Sequence, residues 1–313
     1  MSAGLAVDLG LALLALAMAG WVIAARTARA AAIGFVAYGF LLGLGSVRLG
    51  TLDVALTEAS MGGLTGLLLL AAVGRLGAGG AGERERPGAG LRAAVAGACA
   101  LVSAGIAWVV LALPEPGPSL APQAAAELPG LGLGNPVTAA LLAYRSLDTM
   151  LEKVVVLASL IGVWSLAADR GWGGRPGGVP PARPDDALVF LARELPPIGV
   201  VVAVYLLWNG SDEPGGAFAA AVVLAAMWLL ARMAGLVDAP LVSARRLRAV
   251  LVAGPLAFFA VGLAGPLWAG GFLAYPDGLA KPIIVAVEVA MTLSVAAALA
   301  LLVEGPPARD GAP

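Results

Sequence analysis

The feature that most limits what this chain can fold into is a succession of apolar stretches. Each is near the roughly 20 residues that a helix needs to cross the hydrocarbon core of a bilayer. Nine can be marked, at roughly 4–24, 29–47, 52–74, 91–113, 145–168, 187–208, 215–235, 247–268 and 281–303. In hydrocarbon every backbone N–H and C=O must be paired within the protein, and a helix does this segment by segment. The expected fold is therefore all-α and integral to the membrane, with about nine transmembrane helices. The charged fraction agrees: 12% of residues are Asp, Glu, Lys or Arg, against about 25% in soluble domains.

The basic residues give an orientation. With the N-terminus outside, Arg48, Arg145 and Lys281 fall outside, Lys153 falls within a span, and the remaining 15 of the 19 Lys and Arg fall on the cytoplasmic side. Positive charge favours the cytoplasmic loops, so the sequence predicts N-terminus outside and C-terminus cytoplasmic. Two cytoplasmic stretches, 77–90 and 169–186, are rich in glycine or proline and read as linkers. They divide the spans into groups of three, two and four, giving modules at 1–80, 81–180 and 181–313. The outer loop 114–143 carries six prolines and is expected to run as extended chain and turns.

The chain has no histidine and one cysteine, Cys99. Haem, iron–sulfur and zinc sites and Ser-His or Cys-His catalysis lack their usual ligands. The expectation is a protein that is not an enzyme and holds no cofactor or metal, with Cys99 as a small buried apolar residue. The balance of charge, net −1, points to no nucleic acid.

Against this apolar background, Glu58, Glu152, Lys153 and Glu288 stand inside spans. A charged group at the centre of a bilayer costs roughly 2.5–3.5 kcal/mol on insertion scales, so such groups face a bundle interior or a hydrated path. Glu58 shares a helix face with Gly62 and Thr65, and Gly62, Gly66, Ala59 and Gly63 form the small-residue spacing that lets helices approach closely. In the fifth span Arg145, Asp148 and Glu152 lie three and four residues apart and share a face, where Arg145 can stabilise Asp148. Thr149 lies beside Asp148. Lys153 is about 100° from Glu152 around the helix, so each is expected to find its partner on another element. Glu288 is followed at i+4 by Thr292, and Pro282 falls in the first turn of the same helix. For each acidic residue two readings stand: an ion or proton relay, or a carboxyl that locks helix packing. The turn 209–216 contains Asp212 and Glu213, placed to cap the helix that follows.

Three sequence segments resemble known membrane modules. Asp53 to Gly66, DVALTEASMGGLTG, resembles the glutamate-bearing third span of a module found in two systems. One is the C-terminal part of the large A-type protein of Mrp Na⁺/H⁺ antiporters, and the other is the D-type protein of membrane-bound hydrogenases. That module itself looks like the first spans of the J-type protein of complex I. Asn135 to Thr138, NPVT, with Tyr144 to Glu152, YRSLDTMLE, resembles the hydrogenase E module, with Lys153 departing from the commonest pattern. Pro196 to Tyr205, with the turn NGSDEPGGAF from Asn209 to Phe218, is similar to the antiporter B module, whose last span carries an acidic residue where this chain has Glu288.

The resemblance implies a fused accessory subunit of a multisubunit cation/proton antiporter or antiporter-like respiratory complex in the prokaryotic plasma membrane. It implies partners in the large antiporter-like subunits, a K-like small subunit and further small subunits, and Na⁺ and H⁺ as the ions moved. Glu58, Asp148, Glu152, Lys153 and Glu288 become relay candidates, with Arg145, Thr149, Thr65 and Thr292 in support. The alternatives are a structural linker with no ion path of its own and, behind it, a standalone secondary transporter.

Overall fold

Each of the nine apolar stretches is helical in the computed structural model, which describes residues 3–78, 88–114, 117, 119–176 and 186–308. The long helices are α1 (Ala3–Ala24), α2 (Ala28–Arg48), α3 (Leu52–Ala78), α4 (Ala89–Ala112), α7 (Ser146–Trp164), α8 (Asp186–Asn209), α9 (Ala217–Met233), α10 (Arg245–Trp268) and α11 (Ala280–Glu304). Seven are long and apolar enough to cross a membrane. Of the other two, α9 is only 17 residues long, and α7 carries Asp148, Glu152 and Lys153 within its 19. The protein is an all-α, multi-pass membrane protein.

The outer loop departs from expectation. Instead of extended chain throughout, it forms α5 (Ala121–Leu131), which tolerates Pro122 in its first turn and Pro129 in its last. Residues 79–87 and 177–185, in the two expected linkers, lie outside the described residues. The described part of the second linker is ordered: Arg175–Pro176 (β1) pairs antiparallel with Pro307–Ala308 (β2), bringing the chain's end back against it.

The helix α11 is the centre. It packs against α3, α7, α8, α9 and α10, and most of its length is buried. At its C-terminal end Glu304, fully buried, accepts a 2.8 Å hydrogen bond from Arg232 Nε of α9. Arg232 also donates to the Val237 carbonyl and lies over the Trp228 ring. A buried ion pair survives when its remaining donors are satisfied, and Arg232 meets that condition. Two residues that belong to no sequence motif thus lock α9 to α11.

At the other extreme, α4 buries none of its residues and is apolar around its circumference. Cys99 is consequently exposed rather than buried as expected: its surroundings are not supplied by the described residues.

The second span looks weak in sequence because of its glycines, yet these make its packing. Gly39 on α2 meets Gly62 on α3 so closely that a methyl group at Gly39 would stand 2.8 Å from Gly62 Cα. Such contacts let backbones approach and gain dispersion energy where lipid gives no hydrophobic drive. Asp8 on α1 adds a 2.8 Å ion pair to Arg48 at the end of α2. Replacing Gly39 by Leu should separate α2 from α3 and cost about 1–3 kcal/mol, seen as a lowered melting temperature of the purified full chain. Gly45→Leu, with nothing within 4 Å of the new Cβ, should melt near the wild type.

Candidate functional site

The chemistry-bearing residues converge because three distant segments meet. The carboxylate of Asp53, at the start of α3, accepts hydrogen bonds from Asn135 Nδ2 (3.3 Å) and from the backbone N–H of Gly215 (3.0 Å). Asn135 Nδ2 also donates to the Glu213 carbonyl, while Asn135 Oδ1 caps the short helix α6 (Pro136–Ala139) by accepting from Val137 N–H. The backbone N–H groups of Gly134 and Asn135 both donate to the Ser211 carbonyl. The turn 209–216 is therefore the hub on which the first and middle parts of the chain dock.

Between α6 and α7 the chain makes a π-turn at Ala140–Tyr144. Such turns release carbonyls from the α-helical ladder, and hydroxyls take them up. Thr149 donates to Leu141, and both Ser146 and Tyr275 donate to Leu142. Thr149 thus stabilises the turn that sets the entry of α7.

Behind the junction lies a cavity of about 650 Å³, lined by residues of α3, the π-turn, α7, α9 and α11. Its ionisable residues are Asp53, Glu152, Lys153 and Glu288. Lys153 is 6% exposed, with its Nζ 2.8 Å from Glu152 Oε1 and 5.6 Å from the centre of the Phe218 ring. This corrects the expectation that Lys153 and Glu152 would seek partners elsewhere: the flexible lysine stem folds back across the angle between adjacent positions. The glutamate is half-exposed while the lysine is buried.

Glu288 is 2% exposed. Its Oε1 accepts a 3.2 Å hydrogen bond from the backbone N–H of Ala217, in the first turn of α9. This is an orphan donor at the positive end of a helix, where a carboxylate is favoured. Gly216, before it, has φ of 92°, a backbone conformation that calls for glycine. Glu288 Oε2 has no hydrogen-bond partner among the described residues. Thr292 uses its hydroxyl on the Glu288 carbonyl, one turn back.

The turn's own acids do not cap α9 as expected. Asp212 is engaged by Lys281 Nζ at 2.7 Å, the Glu213 carbonyl serves Asn135, and the first N–H of α9 goes to Glu288. The remaining candidates lie apart. Asp148 is exposed and paired with Arg145 as anticipated, but neither lines the cavity. Thr65 does line it. Glu58 is half-buried on α3 and lies outside the lining; Asp53, one and a half turns earlier and not singled out in the sequence, takes that place.

Two family models match the chain. Residues 13–78 match the D component of MBH, and residues 187–305 match a domain related to the MnhB subunit of Na⁺/H⁺ antiporter. The chain thus joins a D-like module to a B-like module. The fold is similar to that of a chain in the solved Mrp complex from Dietzia sp. DQ12-45-1b, with a TM-score of 0.71 and 24% identity over 97% of this chain. This chain spans 35% of the length of that one. No curated protein matches it. Asp53 therefore belongs to the D module, Gly215 and Glu288 to the B module, and Asn135, Glu152 and Lys153 to the segment between them.

Hydrogen bonding from Lys281 holds the Asp212 carboxyl below the usual aspartate range. A carboxyl with a depressed folded-state pKa contributes stability that is present above its unfolded value and lost as pH falls through the folded one. Asp212→Asn should therefore lower stability at neutral pH and flatten the acid limb of the stability curve below about pH 4, with variant and wild type converging in acid, as followed by thermal melting of the full chain across pH.

Proposed function

We propose that this chain is an accessory subunit of a multisubunit Na⁺/H⁺ antiporter, or of an antiporter-like respiratory complex, in the prokaryotic plasma membrane. Its partners would be large antiporter-like subunits, a K-like small subunit and further small subunits, with its N-terminus outside and its C-terminus cytoplasmic. Its role would be transport, with no chemistry on a bound substrate. The observation that carries this reading is the cavity in which Glu152, Lys153 and Glu288, drawn from the middle and B segments, meet Asp53 of the D module. Ionisable groups, two of them buried, gathered around a hydratable space inside a membrane are the usual equipment of an ion or proton path. Glu152, Lys153 and Glu288 are the primary relay candidates. Glu58 and Asp148, outside this cavity, would act only on a path completed by other subunits.

The test is antiport in everted vesicles carrying the whole complex, with assembly checked on native gels. Glu288→Gln and Glu152→Gln should each lower turnover by about a hundredfold, the low end of what removal of a positioned proton-transfer group costs. Full turnover in both variants would end the relay reading.

One observation favours a structural role beside it. The Asp53 carboxylate accepts from donors of two other segments, as in a linker that fixes modules in place. Asp53→Ala should reduce the yield of assembled complex, whereas the Glu288 and Glu152 variants should assemble and fail in turnover.

A further inference from the structure

We propose that the groove between α9 and α10 binds one anionic phospholipid, with an acyl chain lying on α11 and the phosphate held by Arg245 and Arg246. The site does not depend on the ion path, because the residues of α11 that line the groove fall on the face of that helix opposite the cavity.

Both α9 and α10 pack along α11 but scarcely against each other. The gap between them is a partly open space of about 260 Å³. Its walls are Leu224 and Trp228 of α9 and Leu247 of α10, and its floor is Ala296, Ala297 and Ala300 of α11. Every residue that lines it is apolar, so water and ions find no partners there. The groove runs from Leu293 to Leu301, about 12 Å along the helix. An apolar cavity of about 150 Å³ holds one benzene molecule, and by that measure about 260 Å³ takes roughly ten carbons of a chain. A helix about 10 Å across fills roughly 400 Å³ with each turn and is too bulky to enter.

One end of the groove carries charge. Leu247 stands between Arg246 and Arg248, with Arg245 before them, in the first turn of α10, which holds no acid. All three arginines are exposed. Arg248 Nε donates to the Val242 carbonyl, whereas Arg245 and Arg246 make no side-chain hydrogen bond or ion pair among the described residues. From 233 to 268 the only acid is Asp238, against these three cations. Arg232, over the Trp228 ring on the other wall, is spent on Glu304. Side chains on a helix lean toward its N-terminus, which carries the arginines past the end of the groove. Guanidinium forks suit phosphate oxygens, and arginines at the membrane surface are drawn to anionic lipid. Free guanidinium groups beside an apolar groove therefore complement a phosphodiester joined to an acyl chain, and the groove fixes that lipid at one position.

The experiment places the assembled complex in phosphatidylcholine nanodiscs containing a minor share of phosphatidylglycerol, each lipid in turn brominated on its acyl chains. Bromine quenches a tryptophan that it touches, so the quenching lost in Trp228→Phe reports the groove. Brominated phosphatidylglycerol should quench Trp228 saturably, at a share about tenfold lower than brominated phosphatidylcholine requires. Replacing both arginines, Arg245→Gln with Arg246→Gln, should abolish that preference without changing the melting temperature in phosphatidylcholine alone. Ala297→Leu, which fills the groove, should remove quenching by either lipid. Arg29→Gln, at an exposed arginine in the first turn of α2, should match the wild type. Equal quenching by the two lipids, or a preference that survives loss of both arginines, would overturn the proposal. So would an unquenched Trp228 in the wild-type complex, the result expected where another subunit covers the groove. Inorganic phosphate that abolished the preference would assign the arginines to a free anion and overturn it as well. Should Ala297→Leu fail to assemble, the arginine pair decides the matter.

Discussion

The architecture turns on one carboxylate that is easy to overlook. Asp53 stands at the start of α3 and holds Asn135 and Gly215, which lie 82 and 162 residues further along the chain. A side-chain amide and a backbone N–H both donate to its Oδ1, and the amide also reaches Oδ2 at 3.4 Å, so the carboxylate serves groups that would otherwise need partners of their own. Asn135 in turn caps α6 and binds the Glu213 carbonyl. The path of the turn 209–216 is thereby fixed, and with it the N-terminus of α9. Because Glu288 is held by the first N–H of α9, the position of the buried glutamate in the B module depends at one remove on an aspartate in the D module.

The parts of this arrangement legible in the sequence are those encoded locally. Nine helices follow from nine apolar runs, because hydrocarbon allows little else. The burial of Glu288 follows from its place in the middle of an apolar helix, and the contact of Arg145 with Asp148 follows from a spacing of three. The close approach of α2 and α3 was visible on α3 in Gly62, although not the partner glycine, Gly39. What was not legible depends on geometry between segments. Glu58 looked like the D module's contribution to a polar layer because it lies deeper in the span, but helix rotation directs it away and brings Asp53, Thr57 and Thr65 to the cavity. Backbone angles alone turn Lys153 away from Glu152, but a long, flexible side chain is not bound by them. Asp212 and Glu213 looked like caps because they precede α9, but the donor they would have taken was given to a residue 71 positions away.

Burial along the chain is sharply graded. The helix α11 is buried over most of its length by its own chain, α2 and α3 are buried along one seam, and α1 and α4 bury almost nothing. In water the exposed Leu, Val, Ile and Trp residues of α4 would drive aggregation. In a membrane they meet lipid or other subunits at no hydrophobic cost. The well-packed centre and the bare periphery divide the labour: the site is held by contacts within the chain, while the flanking helices are left to whatever surrounds it.

The centre also explains why compensation is unequal among its charges. Burying the Lys153 ammonium is offset by Glu152, whose outer oxygen keeps contact with the surroundings through a half-exposed side chain, and by the face of Phe218, an attraction worth about 0.5–2 kcal/mol depending on desolvation. Asp53 has two donors. Glu288 has one, although it is the most deeply buried of the three carboxylates in the lining. A second donor could have come from a residue at position 216, but glycine stands there, required by a backbone conformation with φ of 92°. The same turn that brings a helix N-terminus to Glu288 therefore denies it a side-chain partner. The fold holds one oxygen of the carboxylate and leaves the other to what enters the cavity.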